Sequence, residues 1–113
     1  MSKVRHVVVY GPYFWEFYHN QTQKVKDRIN WTIGLIEDLE FIPEKYFKHL
    51  TGTKLYEIRV SAGNNIFRIL CFFDRGNIVV LLNAFQKKTQ QTPGNEIERA
   101  EKLKQQNYED KKE

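Results

Sequence analysis

Three apolar runs decide how this chain folds: Leu55-Tyr56-Glu57-Ile58-Arg59-Val60, Ile66-Phe67-Arg68-Ile69-Leu70-Cys71-Phe72-Phe73 and Ile78-Val79-Val80-Leu81-Leu82. The segments between them, Gly63-Asn64-Asn65 and Asp74-Arg75-Gly76-Asn77, are rich in residues that tolerate positive φ, so each joins two runs as a hairpin turn. The runs therefore read as a three-stranded antiparallel meander. The first alternates strictly, with Tyr56, Ile58 and Val60 on one side and Leu55, Glu57 and Arg59 on the other. The third is apolar throughout, as expected of an interior strand covered on both faces.

The charge of the chain sits on this same stretch. Lys54 to Pro93 carries six basic side chains (Lys54, Arg59, Arg68, Arg75, Lys87, Lys88) and two acidic ones (Glu57, Asp74), an excess equal to the net charge of +4 of all 113 residues. Elsewhere the basic and acidic groups cancel. A cationic sheet among balanced helices points to a polyanionic partner, and a pI of about 9.2 is compatible with nucleic acid.

Upstream, Val4 to Tyr10 is β-branched and closed by Gly11-Pro12, so it reads as a first strand. Phe14, Phe17-Tyr18, Val25, Ile29, Thr32-Ile33, Ile36 and Leu39 then recur at helical spacing, which predicts one long amphipathic helix over about residues 13–40. Gly34 is expected to let that helix approach the sheet closely, and Trp15 and Trp31 read as core or edge packing rather than base-stacking platforms. Pro43 stops the helix and starts a second, short one with Tyr46, Phe47 and Leu50 as its apolar side, ended by Thr51-Gly52. Both helices are expected in one layer against the sheet. Downstream, Gln86 to Gln91 reads as a polar loop. Thr92-Pro93 reads as the start of a last helix, with Thr92 as N-cap, Asn95 and Glu98 as an alternative capping box, and a narrow stripe of Ile97, Ala100, Leu103 or Lys104, and Tyr108.

This length fits one domain that buries roughly two-thirds of its unfolded surface, enough for a core without disulfide or metal. Cys71, the single cysteine, lies inside an apolar run and reads as a buried thiol. No segment approaches the roughly 18 apolar residues of a membrane span, and Met1 to His6 followed by Val7-Val8-Val9 lacks the cleavage pattern of a signal peptide, so a cytoplasmic protein without membrane contact is expected. His6, His19 and His49 fall on separate elements without ligand-like spacing, so neither a metal nor another cofactor is expected.

The candidates for chemistry are basic and aromatic. Arg59 projects from the polar side of its strand. Arg68, between Phe67 and Ile69, needs either a carboxylate partner, with Glu57 and Asp74 as candidates, or an opening to solvent. Lys87 and Lys88, just past a strand end, are either a solvated pair or free to meet a ligand.

In order and spacing, Leu55-Tyr56-Glu57-Ile58-Arg59, Phe67-Arg68-Ile69, Val80-Leu81-Leu82-Asn83-Ala84-Phe85-Gln86-Lys87-Lys88-Thr89 and Thr92-Pro93 followed by Glu96-Ile97-Glu98-Arg99-Ala100 resemble the RelE/ParE superfamily of bacterial toxins, most closely its HigB-like, phage-derived branch. The resemblance covers nearly the whole chain. It implies an α+β RelE-like fold: an antiparallel sheet of an N-terminal strand plus the meander, two N-terminal helices packed on it and a C-terminal helix. It also implies the toxin of a type II toxin–antitoxin pair, a metal-independent endoribonuclease that cuts mRNA in the ribosomal A site, with a helix-turn-helix antitoxin as partner. On that reading Arg59, Arg68, Lys87 and Lys88 are catalytic, and Lys54, Phe85 and Thr89 contact RNA. Relatives often carry a histidine where this chain has Asn83, which cannot act as a base. The alternatives are a ParE-like toxin that poisons DNA gyrase without cutting RNA, and a catalytically silent phage-derived binding module.

Overall fold

The computed structural model describes residues 3–112. Its elements are β1 (His6–Val9), α1 (Tyr13–His19), α2 (Gln23–Asp38), β2 (Phe47–His49), β3 (Tyr56–Ala62), β4 (Asn65–Asp74), β5 (Ile78–Gln86) and α3 (Gly94–Asp110). The meander is present as read, with Arg59 opposite Arg68 in the β3–β4 ladder and Phe72 opposite Val80 in the β4–β5 ladder. A two-residue loop joins β3 to β4, and Gly63 takes φ +61° there, the conformation such a tight hairpin requires at its first loop residue.

Three expectations are corrected. The sheet is mixed and five-stranded, in the order β1-β5-β4-β3-β2, because β1 lies parallel to β5, with His6 opposite Ile78. A run of consecutive valines carries no mark of its neighbour's direction. The single helix over 13–40 is two helices: α1 ends at Asn20, and Thr22 caps α2 by accepting the Val25 amide at 3.3 Å. Apolar spacing continues across the break and hides it. The short helix expected after Pro43 is one turn, closed by the Tyr46 and Phe47 amides on the Pro43 carbonyl, followed by strand β2. Pairing of Phe47 with Ile58 and His49 with Tyr56 satisfies the open edge of β3. Stacking of Phe47 on Tyr56, centroids 5.0 Å apart, holds the strand there. So the two N-terminal helices exist, but the second is not the one read from Pro43.

Alternation along the strands gives the sheet two faces. On one, α1 and α2 cover Ile58, Val60, Ala62, Phe67, Ile69, Cys71, Val79 and Leu81, together with their own Phe14, Val25, Ile29 and Ile36. On the other, α3 brings Ala100 and Leu103 onto Leu55, Leu70, Phe72, Val80 and Leu82. The interior strand β5 is thus covered on both faces, as its composition requires. Cys71 is fully buried, and burial pushes its thiol well above the ordinary range. Arg5 ties the N-terminal segment to the open end of α2 by donating to the Leu39 and Glu40 carbonyls at 2.6 and 2.9 Å. Gly34 does not mediate close packing: a Cβ there would meet nothing within 4 Å. Trp15 and Trp31 are both 45% exposed and pack at edges, Trp31 beneath the Arg28 guanidinium at 4.3 Å. Among the described residues no helix is long and apolar enough to cross a membrane.

Candidate functional site

The α3 side of the sheet is apolar at one end only. Towards the Gly63 hairpin the same strands present Glu57, Arg59 and Arg68. Arg59 and Arg68 face each other directly across the β3–β4 ladder, a like-charge arrangement that is unfavourable without a counter-ion. Glu57 is that counter-ion. Its Oε1 accepts from Arg59 Nε at 3.1 Å and lies 3.0 Å from Arg59 Nη2 and 3.5 Å from Arg68 Nε. Its Oε2 accepts from the Thr92 hydroxyl at 2.9 Å. Arg68 also donates from Nη1 to the Phe67 carbonyl at 3.3 Å. Of the two readings open for Arg68, the carboxylate partner is the one found, and that partner is Glu57.

The three side chains differ in access. Those of Glu57 and Arg68 are 5% and 8% exposed, and that of Arg59 is 26% exposed. Burial lowers the pKa of Arg68 from its ordinary value, Glu57 opposes that shift and Arg59 adds to it. One carboxylate between two guanidiniums leaves the cluster cationic, with Arg59 as the charge a ligand reaches first.

A bulge in β5 completes the surface. Leu70 pairs with Asn83 but Cys71 with Leu81, so Leu82 is the extra residue and the alternation of β5 shifts there by one. Without that shift Phe85 would point toward α1 and α2; with it, Phe85 lies opposite Arg68 on the guanidinium side. Beyond the strand end the Lys87 amide donates to the Ile66 carbonyl at 2.7 Å. Ile66, Lys87, Lys88, Thr89 and Gln90 line an open cleft of about 350 Å³ with no carboxylate among them. Because Ile66 and Arg68 are two apart on one strand, this cleft adjoins the arginine pair.

The structure therefore brings Arg59, Arg68 and Phe85 together, sets Lys87, Lys88 and Thr89 beside them, and separates Lys54. Lys54 precedes β3 at the other end of the sheet, five residues and roughly 16 Å of extended chain from Arg59. It shares a different cleft with His49, Tyr56 and Tyr108.

Two contributors were not evident beforehand. Glu57, read only as a possible partner, is the hub of the cluster. Its signal was an acid on the same strand face as Arg59 in an otherwise basic region. Thr92 was read as the N-cap of the last helix; that position belongs to Pro93, which makes no side-chain cap, and the Thr92 hydroxyl is diverted to Glu57. Asn83 is buried and donates from Nδ2 to the Glu96 carbonyl and side chain at 3.1 and 2.9 Å, which pins the first turn of α3. It holds that helix in place and offers no proton-transfer group.

The geometry defines a small α+β domain with a guanidinium pair and a basic loop on one end of one sheet face. The sequence matches the family model described as phage-derived protein Gp49-like (DUF891) over residues 16–105, and the chain belongs to that family, which falls within the RelE/ParE-like toxin superfamily. No curated protein matches it significantly.

Proposed function

We propose that this chain is the toxin of a type II toxin–antitoxin pair, of the HigB-like branch, and cleaves mRNA on the ribosome in the cytoplasm. The observation that carries this reading is the pair of guanidiniums directly opposite one another, oriented by a single carboxylate and flanked by a carboxylate-free basic cleft. In the proposed reaction the ribose 2′-oxygen attacks the adjacent phosphorus and the 5′-oxygen of the next nucleotide leaves. The products are a 2′,3′-cyclic phosphate and a 5′-hydroxyl. Arg59 holds the phosphoryl oxygens as negative charge builds on them, by bidentate, charge-assisted hydrogen bonds. Arg68 touches Glu57 and is a positioning residue for that carboxylate. In this reading Glu57, the one carboxylate of the cluster, accepts the 2′-hydroxyl proton on the oxygen that the Thr92 hydroxyl now holds. Lys87 or Lys88 gives a proton to the leaving 5′-oxygen. Phe85 forms the apolar wall of the site, and Thr89 adds a hydroxyl to the loop. The antitoxin would be a separate, helix-turn-helix protein.

Expression of the chain without an antitoxin tests this. The expected result is growth arrest with loss of translation and mRNA cut within codons, mapped by primer extension. Arg59→Ala with Lys87→Ala should abolish cleavage while circular dichroism shows an intact fold, since both groups are surface-reaching. A folded, fully toxic double variant would remove the site assignment. One observation favours a second reading: Asn83 is locked under α3 where relatives often have histidine, and Arg68 and Glu57 are nearly closed to solvent. A ParE-like gyrase poison needs no proton-transfer group there. Arrest with DNA damage and initially intact translation would select it, and no toxicity at all would select a silent binding module.

A further inference from the structure

At the end of the sheet remote from Arg59, the β2–β3 loop, the last residues of β4 and the C-terminal half of α3 enclose a cleft of about 270 Å³. Its walls carry Lys54, Lys104 and His49 together with the rings of Tyr56, Phe73 and Tyr108, and no carboxylate. Of the acids next to cleft residues in sequence, Asp74 is engaged by Lys111, Glu57 by Arg59 and Arg68, and Glu109 accepts from Gln105 Nε2 at 3.2 Å. By contrast, the cleft along the outer side of α3, lined by Tyr13, Arg99 and Lys102, includes Glu98, which pairs with Lys102 at 3.6 Å, and so is less cationic.

We propose that this cleft is a second subsite for single-stranded RNA, holding one nucleotide away from the scissile phosphodiester. The base lies against Tyr108, and the phosphate sits between the ammonium groups of Lys54 and Lys104. The proposal rests on the reading of the chain as an RNA-directed toxin and extends its footprint to the opposite end of the sheet. Tyr108 is 39% exposed, yet its ring is fixed edge-on against Phe72 at 5.8 Å, so it offers an oriented face. Lys104 Nζ lies over that ring, 5.3 Å from its centre, so ring and cation form one patch. His49 Nε2 lies 2.6 Å from the Thr53 carbonyl, where it acts as donor; this fixes the ring and leaves Nδ1 as the other polar atom. Aromatic faces interleaved with ammonium groups are how proteins hold unpaired strands: stacking tolerates any base and the cations track the backbone.

The test uses the purified chain and a fluorescent, fully 2′-O-methylated RNA oligonucleotide, which lacks the attacking hydroxyl and so is not cut. Anisotropy titrations between 50 and 200 mM salt give affinity and its salt dependence. Lys54→Ala with Lys104→Ala is expected to weaken binding at the lower salt at least tenfold. It should also reduce the slope of log affinity against log salt by about 0.7, the single-strand value for one phosphate contact. Tyr108→Leu, which keeps an apolar contact to Phe72, is expected to weaken binding by about tenfold and leave the slope unchanged. An unchanged affinity and slope in the lysine double variant would overturn the proposal. So would an equal loss from Lys26→Ala with Lys102→Ala, two lysines outside the cleft. Dependence on Lys54 and Lys104 in a chain that cuts no RNA would discard the nuclease and keep the subsite. Cleavage without that dependence would discard only the subsite.

Discussion

The two faces of the sheet are built from the same strands and the same alternation, yet they are spent differently. Toward α1 and α2 every inward position of β3, β4 and β5 that joins the core is apolar, from Ile58 to Leu81. Toward α3 the apolar set stops partway, and Glu57, Arg59 and Arg68 follow it, with Asp74 and Asn83 as further buried polar groups. Charges in the second set lose hydration that a single shared carboxylate only partly restores. The dry face tolerates that cost because it supplies most of the burial. A domain with two apolar faces would be more stable and would lack this charged cluster. Division of labour between faces, rather than between lobes, is how a chain of this size combines a core with a charged site.

The largest expected effect that probes this division is on the dry face. Ile69→Ala removes a fully buried side chain and should cost about 4 kcal/mol. In a domain of this size that corresponds to a fall in Tm on the order of 20 °C, read by thermal denaturation. Any of the protein that remains folded should cleave normally. Loss of cleavage in folded Ile69→Ala would break the separation between faces.

Next is Glu57→Ala, which leaves two guanidiniums facing each other without their counter-ion. It should destabilise by about 3 kcal/mol and abolish activity together. Glu57→Gln keeps the shape, so less stability should be lost while cleavage still disappears. Equal effects of Gln and Ala on stability would mean that the charge of Glu57 is not what holds the pair.

Smaller still, Gly34→Ala should raise stability by about 1 kcal/mol. The position is helical, a Cβ there meets nothing within 4 Å, and alanine restricts the unfolded chain. A fall in Tm would show that α2 uses the missing side chain after all. The smallest expected effect is none: Cys71, fully buried with its thiol pKa pushed up, should not react with a thiol reagent until the chain unfolds. Labelling of the native protein would show that the covered face opens.

What the sequence revealed follows the range of the forces involved. The meander was legible because its signals are local: period-two alternation in Leu55–Val60 and turn residues at Gly63 and Gly76. The break at Asn20–Thr22 was masked because Tyr18 and Val25 stay in helical phase across it. Strand β2 was missed for a different reason. Three residues are too few for a periodic signal, and Phe47–His49 is a strand because β3 offers it an edge. At the site, Arg59 and Arg68 were visible as charges in apolar strands. Their meeting depends on register. The position of Phe85 depends on one extra residue at Leu82, which no local pattern announces. Lys54 lies at the other end of β3 from Arg59, five extended residues away.

The parallel pairing of β1 with β5 sets the order of events as the polypeptide emerges. His6 and its partner Ile78 lie roughly seventy positions apart, so β1 must wait for β5 before this edge of the sheet can form. Contacts of such long sequence separation form slowly, and until they form Val7 and Val9 have no β5 to lie against. The arginine pairing and the β1–β5 contact thus both need segments made after β3.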